Sequence, residues 1–168
     1  MAKIIKAPEK LQFEGISIFL AGSIEQGQAE NWQVVVEDLL KDLDVTILNP
    51  RRDDWDSSWI QSIDNPQFKE QVEWELSAQG LADIIGMYFS PGTKSPITLL
   101  ELGLSAAKGK LIVCCPEGYW RKGNVEIVCR WYGIKLTNTR QALVDQIISR
   151  VRQLKCKEER FKRYESRA

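Results

Sequence analysis

Two glutamates stand out among the residues of this 168-residue chain that could do chemistry. Glu101 lies in Pro96–Ala107, where the only other polar side chains are Thr98 and Ser105. At 100° per residue these three share one side of a helix. A lone carboxylate in so apolar a segment is costly to bury unless something compensates it. It either caps a loop or pairs with an arginine, or it points into a cleft beside a helix N-terminus; spacing leaves both readings open. Glu75 is the second. It falls inside Phe68, Val72, Leu76 and Gln79, the stripe that marks the inner face of a helix opened by Pro66. Glu75 reads equally as a site carboxylate or as an ion pair at the helix edge. Histidine is absent, which removes Ser-His and Cys-His nucleophile pairs. No C-x-x-C pair occurs among Cys114, Cys115, Cys129 and Cys156, so neither a zinc site nor a disulfide framework is expected. Carboxylates are left as the chemical groups of choice, with no metal and no cofactor expected.

The bulk composition narrows the classes further. Lys plus Arg and Asp plus Glu both number 23, giving zero formal net charge. A nucleic-acid surface needs a basic excess on some face, so no nucleic-acid partner is expected. No apolar run approaches the roughly 20 residues of a membrane span. MAKIIKAPEK at the N-terminus has no apolar signal-peptide core. The expected setting is cytoplasmic, without a membrane partner.

The elements that must position the two glutamates follow in order. Residues 1–13 read as a loosely held lead-in to a single domain over 1–168. Gly15–Ala21, Val45–Leu48, Asp83–Phe89, Leu111–Cys115 and Ile134–Leu136 read as five short strands. Helical spacing marks about Ala29–Leu43, Pro66–Gln79, Pro96–Ala107, Val125–Trp131 and Thr139–Cys156. In the first of these the inner stripe is Trp32, Val35, Val36, Leu39, Leu40 and Leu43. Residues 157–168 are a charged tail, read as a solvated helix end. This alternation predicts an α/β fold: a flavodoxin-like, five-stranded parallel sheet of order 2-1-3-4-5 with helices on both faces.

In such sheets ligands bind beyond the carboxyl ends of the strands. Gly22-Ser23, Asn49–Asp54, Ser90–Ser95 and Pro116–Asn124 all follow strands and gather at one rim. Asp83 precedes its strand and reads as structural. The loop Arg51–Pro66 is long for a compact domain, and its two tryptophans argue against disorder. Phosphate-loop and dinucleotide fingerprints are missing. Carboxylates with aromatic walls suit glycosyl chemistry: one stabilises or attacks an oxocarbenium-like sugar carbon, and another manages the leaving group's proton. Aromatic faces suit a planar base.

Five segments carry a resemblance: IFLAGSI (18–24), LNPRRDDW (48–55), QVEWE (71–75), ADIIGMYF (82–89) and SPITLLELGLSAA (95–107). Together they resemble the nucleoside 2-deoxyribosyltransferase family over roughly residues 15–135. The resemblance implies transfer of 2-deoxyribose between nucleobases with net retention, through a covalent deoxyribosyl-Glu intermediate on Glu101. It implies an assisting acid at Glu75. It also implies that Asn124 is lent to a neighbouring subunit, and so a homo-oligomer, dimer or trimer of dimers, with shared active sites. The partners are small-molecule deoxynucleosides and nucleobases, as in nucleotide salvage. Substrate contacts are expected from Gly22, Asn49, Arg51, Asp53, Asp54, Ser95 and Asn124. Two departures matter. A first-strand Tyr of the family is Ile18 or Phe19 here, and an Asp shortly before the nucleophile is replaced near Ser95. Asp53 or Asp54 is the expected substitute proton donor.

Two other functions fit the same pattern. One is an N-glycoside hydrolase acting on deoxynucleoside 5′-monophosphates, with a phosphate over Ser90–Ser95 near Lys94 and Arg51. That loop reads as short of the small hydroxyl residues a phosphate site favours. The other is a non-catalytic nucleotide-binding module, which has little use for a carboxylate aimed at a sugar carbon.

Overall fold

The apolar runs between turn signals become six strands in the computed structural model, which describes residues 1–24 and 30–165. They are β1 (Lys3–Lys6), β2 (Ser17–Gly22), β3 (Thr46–Asn49), β4 (Ile84–Tyr88), β5 (Leu111–Cys114) and β6 (Lys135–Thr137). All pair in parallel, in the order β1-β3-β2-β4-β5-β6. Leaving β1 aside, the other five follow the expected 2-1-3-4-5 order.

The sixth strand corrects the reading of residues 1–13 as a loose lead-in. KIIK holds only two apolar residues between lysines, too short a signal to stand out. Yet Lys3–Lys6 pairs in register with Thr46–Asn49, and Ile5 is buried. The Trp74 indole N–H then donates to the Glu9 carbonyl at 2.7 Å, which ties the following residues to the helical layer.

Five helices flank the sheet: α1 (Trp32–Leu40), α2 (Pro66–Leu81), α3 (Pro96–Ser105), α4 (Lys122–Tyr132) and α5 (Arg140–Glu165). A 3-10 turn, Ala106–Lys108, extends α3. The predicted start of α1 at Ala29 lies outside the described residues, as do the last three residues of the charged tail. No described helix is long and apolar enough to cross a membrane. Alternation along the strands divides the core. Phe19, Leu48, Ile85, Met87 and Val113 pack under α2, α3 and α4. Ile18, Leu20, Ile47, Ile84 and Ile112 pack under α1 and α5. Each such side chain contributes about 1.5–3 kcal/mol when fully buried.

Three helices turn faces to the sheet that apolar spacing alone misassigns. In α1, Val35 and Leu39 are exposed, while Trp32, Val36 and Leu40 are buried beside Gln33 and Glu37. In α2, Val72 and Leu76 point outward; the buried residues are Gln71, Trp74, Ala78 and Gln79. α3 turns inward the side that Thr98, Glu101 and Ser105 share. Its buried residues are Thr98, Glu101, Leu102 and Ser105, whereas Ile97, Leu100 and Leu104 are 60%, 58% and 49% exposed.

The carboxyl end of β2 meets β4 at a close approach. Gly22 has φ +150°, and a Cβ there would lie 2.4 Å from the Tyr88 carbonyl oxygen and 2.9 Å from the Trp32 ring. No rotation of a flexible side chain relieves a clash with backbone. Gly22→Ala should therefore destabilise the protein by more than about 2 kcal/mol. Chemical denaturation checks this, and an unchanged midpoint would show that the strand end yields.

Candidate active site

The site is assembled at the carboxyl rim by α2 and α3, which both leave that rim on the same sheet face. Pro66 opens α2 after the long loop, and the Asn65 side chain caps it by accepting from the Gln67 and Phe68 amides. Pro96 opens α3 behind Ser95, which sits in the left-handed region at φ 45°, ψ 55°. A non-glycine residue held there costs on the order of 1–2 kcal/mol.

α2 carries Gln71, Glu75 and Gln79 at i, i+4 and i+8, a single line along its inner side. Gln71 Nε2 donates to the Pro50 carbonyl at 2.7 Å and to Glu75 Oε1 at 2.8 Å. Gln79 Nε2 crosses to α3 and donates to Glu101 Oε1 at 2.7 Å. Both glutamates thus take a neutral amide N–H and no salt bridge among the described residues. Burial pushes Glu101 up to about 8; the charge of Glu75 adds to the rise and the Gln79 N–H opposes it. Burial pushes the half-buried Glu75 up to about 7, opposed by the Gln71 N–H. Near neutral pH the pair therefore holds at least one proton. One carboxyl can act as acid while its neighbour acts as nucleophile, a division two solvated glutamates could not maintain.

A second group of polar side chains lies at the N-terminus of α3. Ser23 Oγ accepts from the Ser90 amide at 2.9 Å and lies 3.0 Å from Thr93 Oγ1 and 2.5 Å from Ser95 Oγ. Thr93 and Ser95 are 2.8 Å apart. Counting one loop at a time hid this group, because the fold adds Ser23, from the end of β2, to the three hydroxyl residues of Ser90–Ser95. The loop after β5 braces the same turn: the Tyr119 hydroxyl and the Trp120 indole both donate to the Lys94 carbonyl, at 2.9 and 3.0 Å.

The other sequence-derived candidates occupy distinct places. Asn49 is buried at the end of β3, donating to Glu37 Oε1 at 2.6 Å and accepting from the Arg51 amide. Asp53 is highly exposed and binds Lys6 at 2.8 Å. Asp54 is exposed too and holds Arg52 through two hydrogen bonds, which draw its carboxyl below the usual range. Arg52 is buried, also binds Glu70 at 3.0 Å, and lies 5.1 Å from the Trp59 ring centre, so it clamps the long loop to α2. Asn124 is exposed in the first turn of α4. The structure thus gathers Gly22 and Ser95 at the hydroxyl group and Glu75 and Glu101 at the carboxyl pair, and sets Asp53, Asp54 and Asn124 on the surface. Asp83, before β4, accepts from the amide and hydroxyl of Ser17 at the far end of the strands. Sequence reasoning missed the amide ladder of Gln71 and Gln79. The available signal was their four-residue spacing about Glu75.

With this geometry in view, residues 15–119 match the family described as nucleoside 2-deoxyribosyltransferase like. The chain belongs to that nucleoside 2-deoxyribosyltransferase-like family. The match runs from just before β2 to the loop after β5, so it takes in Gly22, Glu75, Ser95 and Glu101 and stops short of Asn124. A conserved protein from Enterococcus faecalis V583 shares the family member's fold. It superposes with a TM-score of 0.57 at 12% identity, over 80% of this chain and 98% of that one. No curated protein matches the chain in sequence.

The carboxyl pair has a consequence for stability that sets it apart from surface acids. Glu101 rises from 4.5 in the unfolded chain to about 8 in the fold. A raised carboxyl contributes stability below the unfolded value and loses it as pH climbs through the folded one. Glu101→Gln removes that titration. The melting temperature of the variant relative to wild type should therefore rise steadily between about pH 5 and about pH 9. A pH-independent difference would mean that Glu101 is ionised throughout.

Proposed function

We propose that this protein transfers 2-deoxyribose between nucleobases, with Glu101 as nucleophile and Glu75 as the assisting acid. The observation that carries the reading is the pair of protein-enclosed carboxyls at the strand rim, each given one amide hydrogen bond and no cation. Glu101 attacks C1′ of a deoxynucleoside, and a C1′–oxygen ester bond forms as the C1′–nitrogen bond breaks. The electron pair of the broken bond goes to the base, which takes the proton of Glu75. A second base then attacks C1′, returns its proton to Glu75 and frees the Glu101 carboxylate. Two inversions give net retention. Asp53 and Asp54 suit the acid role less well, since both are exposed and held by cations.

The outward Ile97, Leu100 and Leu104 of α3 support a homo-oligomer built on this helical face. Val72 and Leu76 of α2 and Ile127 and Trp131 of α4 extend the apolar surface on that side of the sheet. Asn124, exposed at the start of α4, is the residue lent to a neighbouring subunit in this reading.

The hydroxyl group of Ser23, Thr93 and Ser95 favours a second reading: hydrolysis of deoxynucleoside 5′-monophosphates. Hydroxyls at a helix N-terminus suit a phosphate, and water then replaces the second base as acceptor.

Incubating deoxyinosine or thymidine with a different free base should yield the swapped nucleoside by chromatography. Faster cleavage of the 5′-monophosphate, with no swapped product, would instead establish the hydrolase. Glu101→Ala should lower turnover by about 10³-fold or more while the protein stays folded; ordinary turnover in that variant would end both readings. For assembly, Leu100→Lys should reduce the sedimenting mass to that of a 19.2 kDa monomer, and an unaltered mass would place the interface elsewhere.

A further inference from the structure

The family reading leaves the nucleophile without the Tyr that the family carries in the strand corresponding to β2, since Ile18 and Phe19 stand there and both face the apolar core. A buried carboxylate that must present one oxygen to a sugar carbon needs something to fix its rotation. Among the described residues, the donor that reaches Glu101 is Gln79 Nε2, at 2.7 Å from Oε1. Gln79 is itself only 3% exposed, and Glu101 7%. No donor from the described residues reaches Oε2.

We propose that Gln79 is the positioning residue for the nucleophile: its side-chain N–H holds Oε1 of Glu101 and thereby leaves Oε2 as the oxygen that attacks. The inference rests on the assignment of Glu101 as nucleophile and adds to it the group that orients it. Three observations support it. First, the hydrogen bond bridges two helices, so it sets the carboxyl plane relative to Glu75 as well as to α3. Second, two turns earlier on the same helix, Gln71 holds Oε1 of Glu75 while anchored to the Pro50 carbonyl. α2 thus keeps the two carboxyls from turning to share a proton directly, a pairing in which neither oxygen would be aimed at substrate. Third, a glutamine buried this deeply is expensive unless both its shape and its hydrogen bonds are used; a leucine would fill an inner helix position at no such cost.

The chemistry follows from the donor being neutral. An amide N–H bonds the ionised carboxylate more strongly than the acid. Gln79 therefore favours the charged form of Glu101, against the burial and the Glu75 charge that oppose it. The groups that act on Glu101 are Glu75, from α2, which opposes its ionisation, and Gln79, which assists it. Nothing cationic faces it among the described residues.

Gln79→Met keeps the length of the side chain and removes the N–H. In the intact protein, kcat for base exchange should fall about 10- to 100-fold, the loss of one hydrogen bond to a charged group. KM for the deoxynucleoside should stay within about threefold, because the bond is made to the enzyme's own carboxylate. The limb of the rate profile that reports ionisation of Glu101 should move to higher pH. A variant with wild-type kcat and an unmoved limb overturns the proposal, as does a fall in kcat at all pH values without movement of that limb. A second measurement needs no activity. In the nitrogen–proton spectrum of the wild-type protein, the Gln79 side-chain amide should shift with pH at the midpoint of Glu101, and that shift should vanish in Glu101→Gln. A Gln79 amide that ignores pH overturns the proposal. If the amide titrates but no deoxyribosyl donor is ever cleaved, the transferase and hydrolase readings fail, while Gln79 still stands as the residue that sets Glu101.

Discussion

The hydrogen bond from Gln79 to Glu101 lets α3 lie as it does. Ordinary amphipathic logic would turn Ile97, Leu100 and Leu104 to the sheet and leave Glu101 in water. The structure inverts this. A carboxylate facing inward loses most of its hydration, and among the described residues the amide crossing from α2 is the compensation it receives. The rest follows from that choice. Glu75 must be close enough to influence Glu101 yet separately held, so Gln71 fastens it. Gln71 in turn needs the Pro50 carbonyl, which fixes how the chain leaves β3 for the long loop. The apolar residues displaced from the inner face end up outside.

Much of the fold could be read from local pattern because strands in parallel sheets are buried on both faces and announce themselves as short apolar runs. β2, β3, β4 and β5 do so. β1 does not, since its lysines break the run and only pairing with β3 makes it a strand. Helix positions were legible from proline, asparagine and spacing. Helix rotation was not, for a physical reason: rotation follows the strongest burial term, and in α2 and α3 polar partnerships outweigh leucine and valine. Val72 and Leu76 look like core residues in sequence, but Gln71 and Gln79 take the inner side together with Trp74 and Ala78, where the structure supplies their amides with acceptors.

The site shows the same division. Glu101 and Glu75 were legible as anomalies, each a carboxylate among apolar neighbours. Their holders were not, because glutamine in a helix is unremarkable until its partner on another helix is known. The hydroxyl group at the start of α3 was hidden differently. Ser23 and Ser95 are separated by four elements, and only the pairing of β2 with β4 brings the two strand ends together. Ser95 adopts a left-handed backbone to reach the group, a local cost that makes sense only if its hydroxyl must stand in that place.

The N-terminal strand has one more effect. A sheet's outermost strand offers unpaired backbone groups to any passing chain, and natural proteins blunt such edges with lysine. β1 is four residues long, carries a lysine at each end, and covers β3, whose residues are all buried. Without it the flank of the sheet would be Thr-Ile-Leu-Asn, an unguarded template for intermolecular strand addition. β1 thus puts a short, lysine-flanked edge where the buried β3 would otherwise stand open.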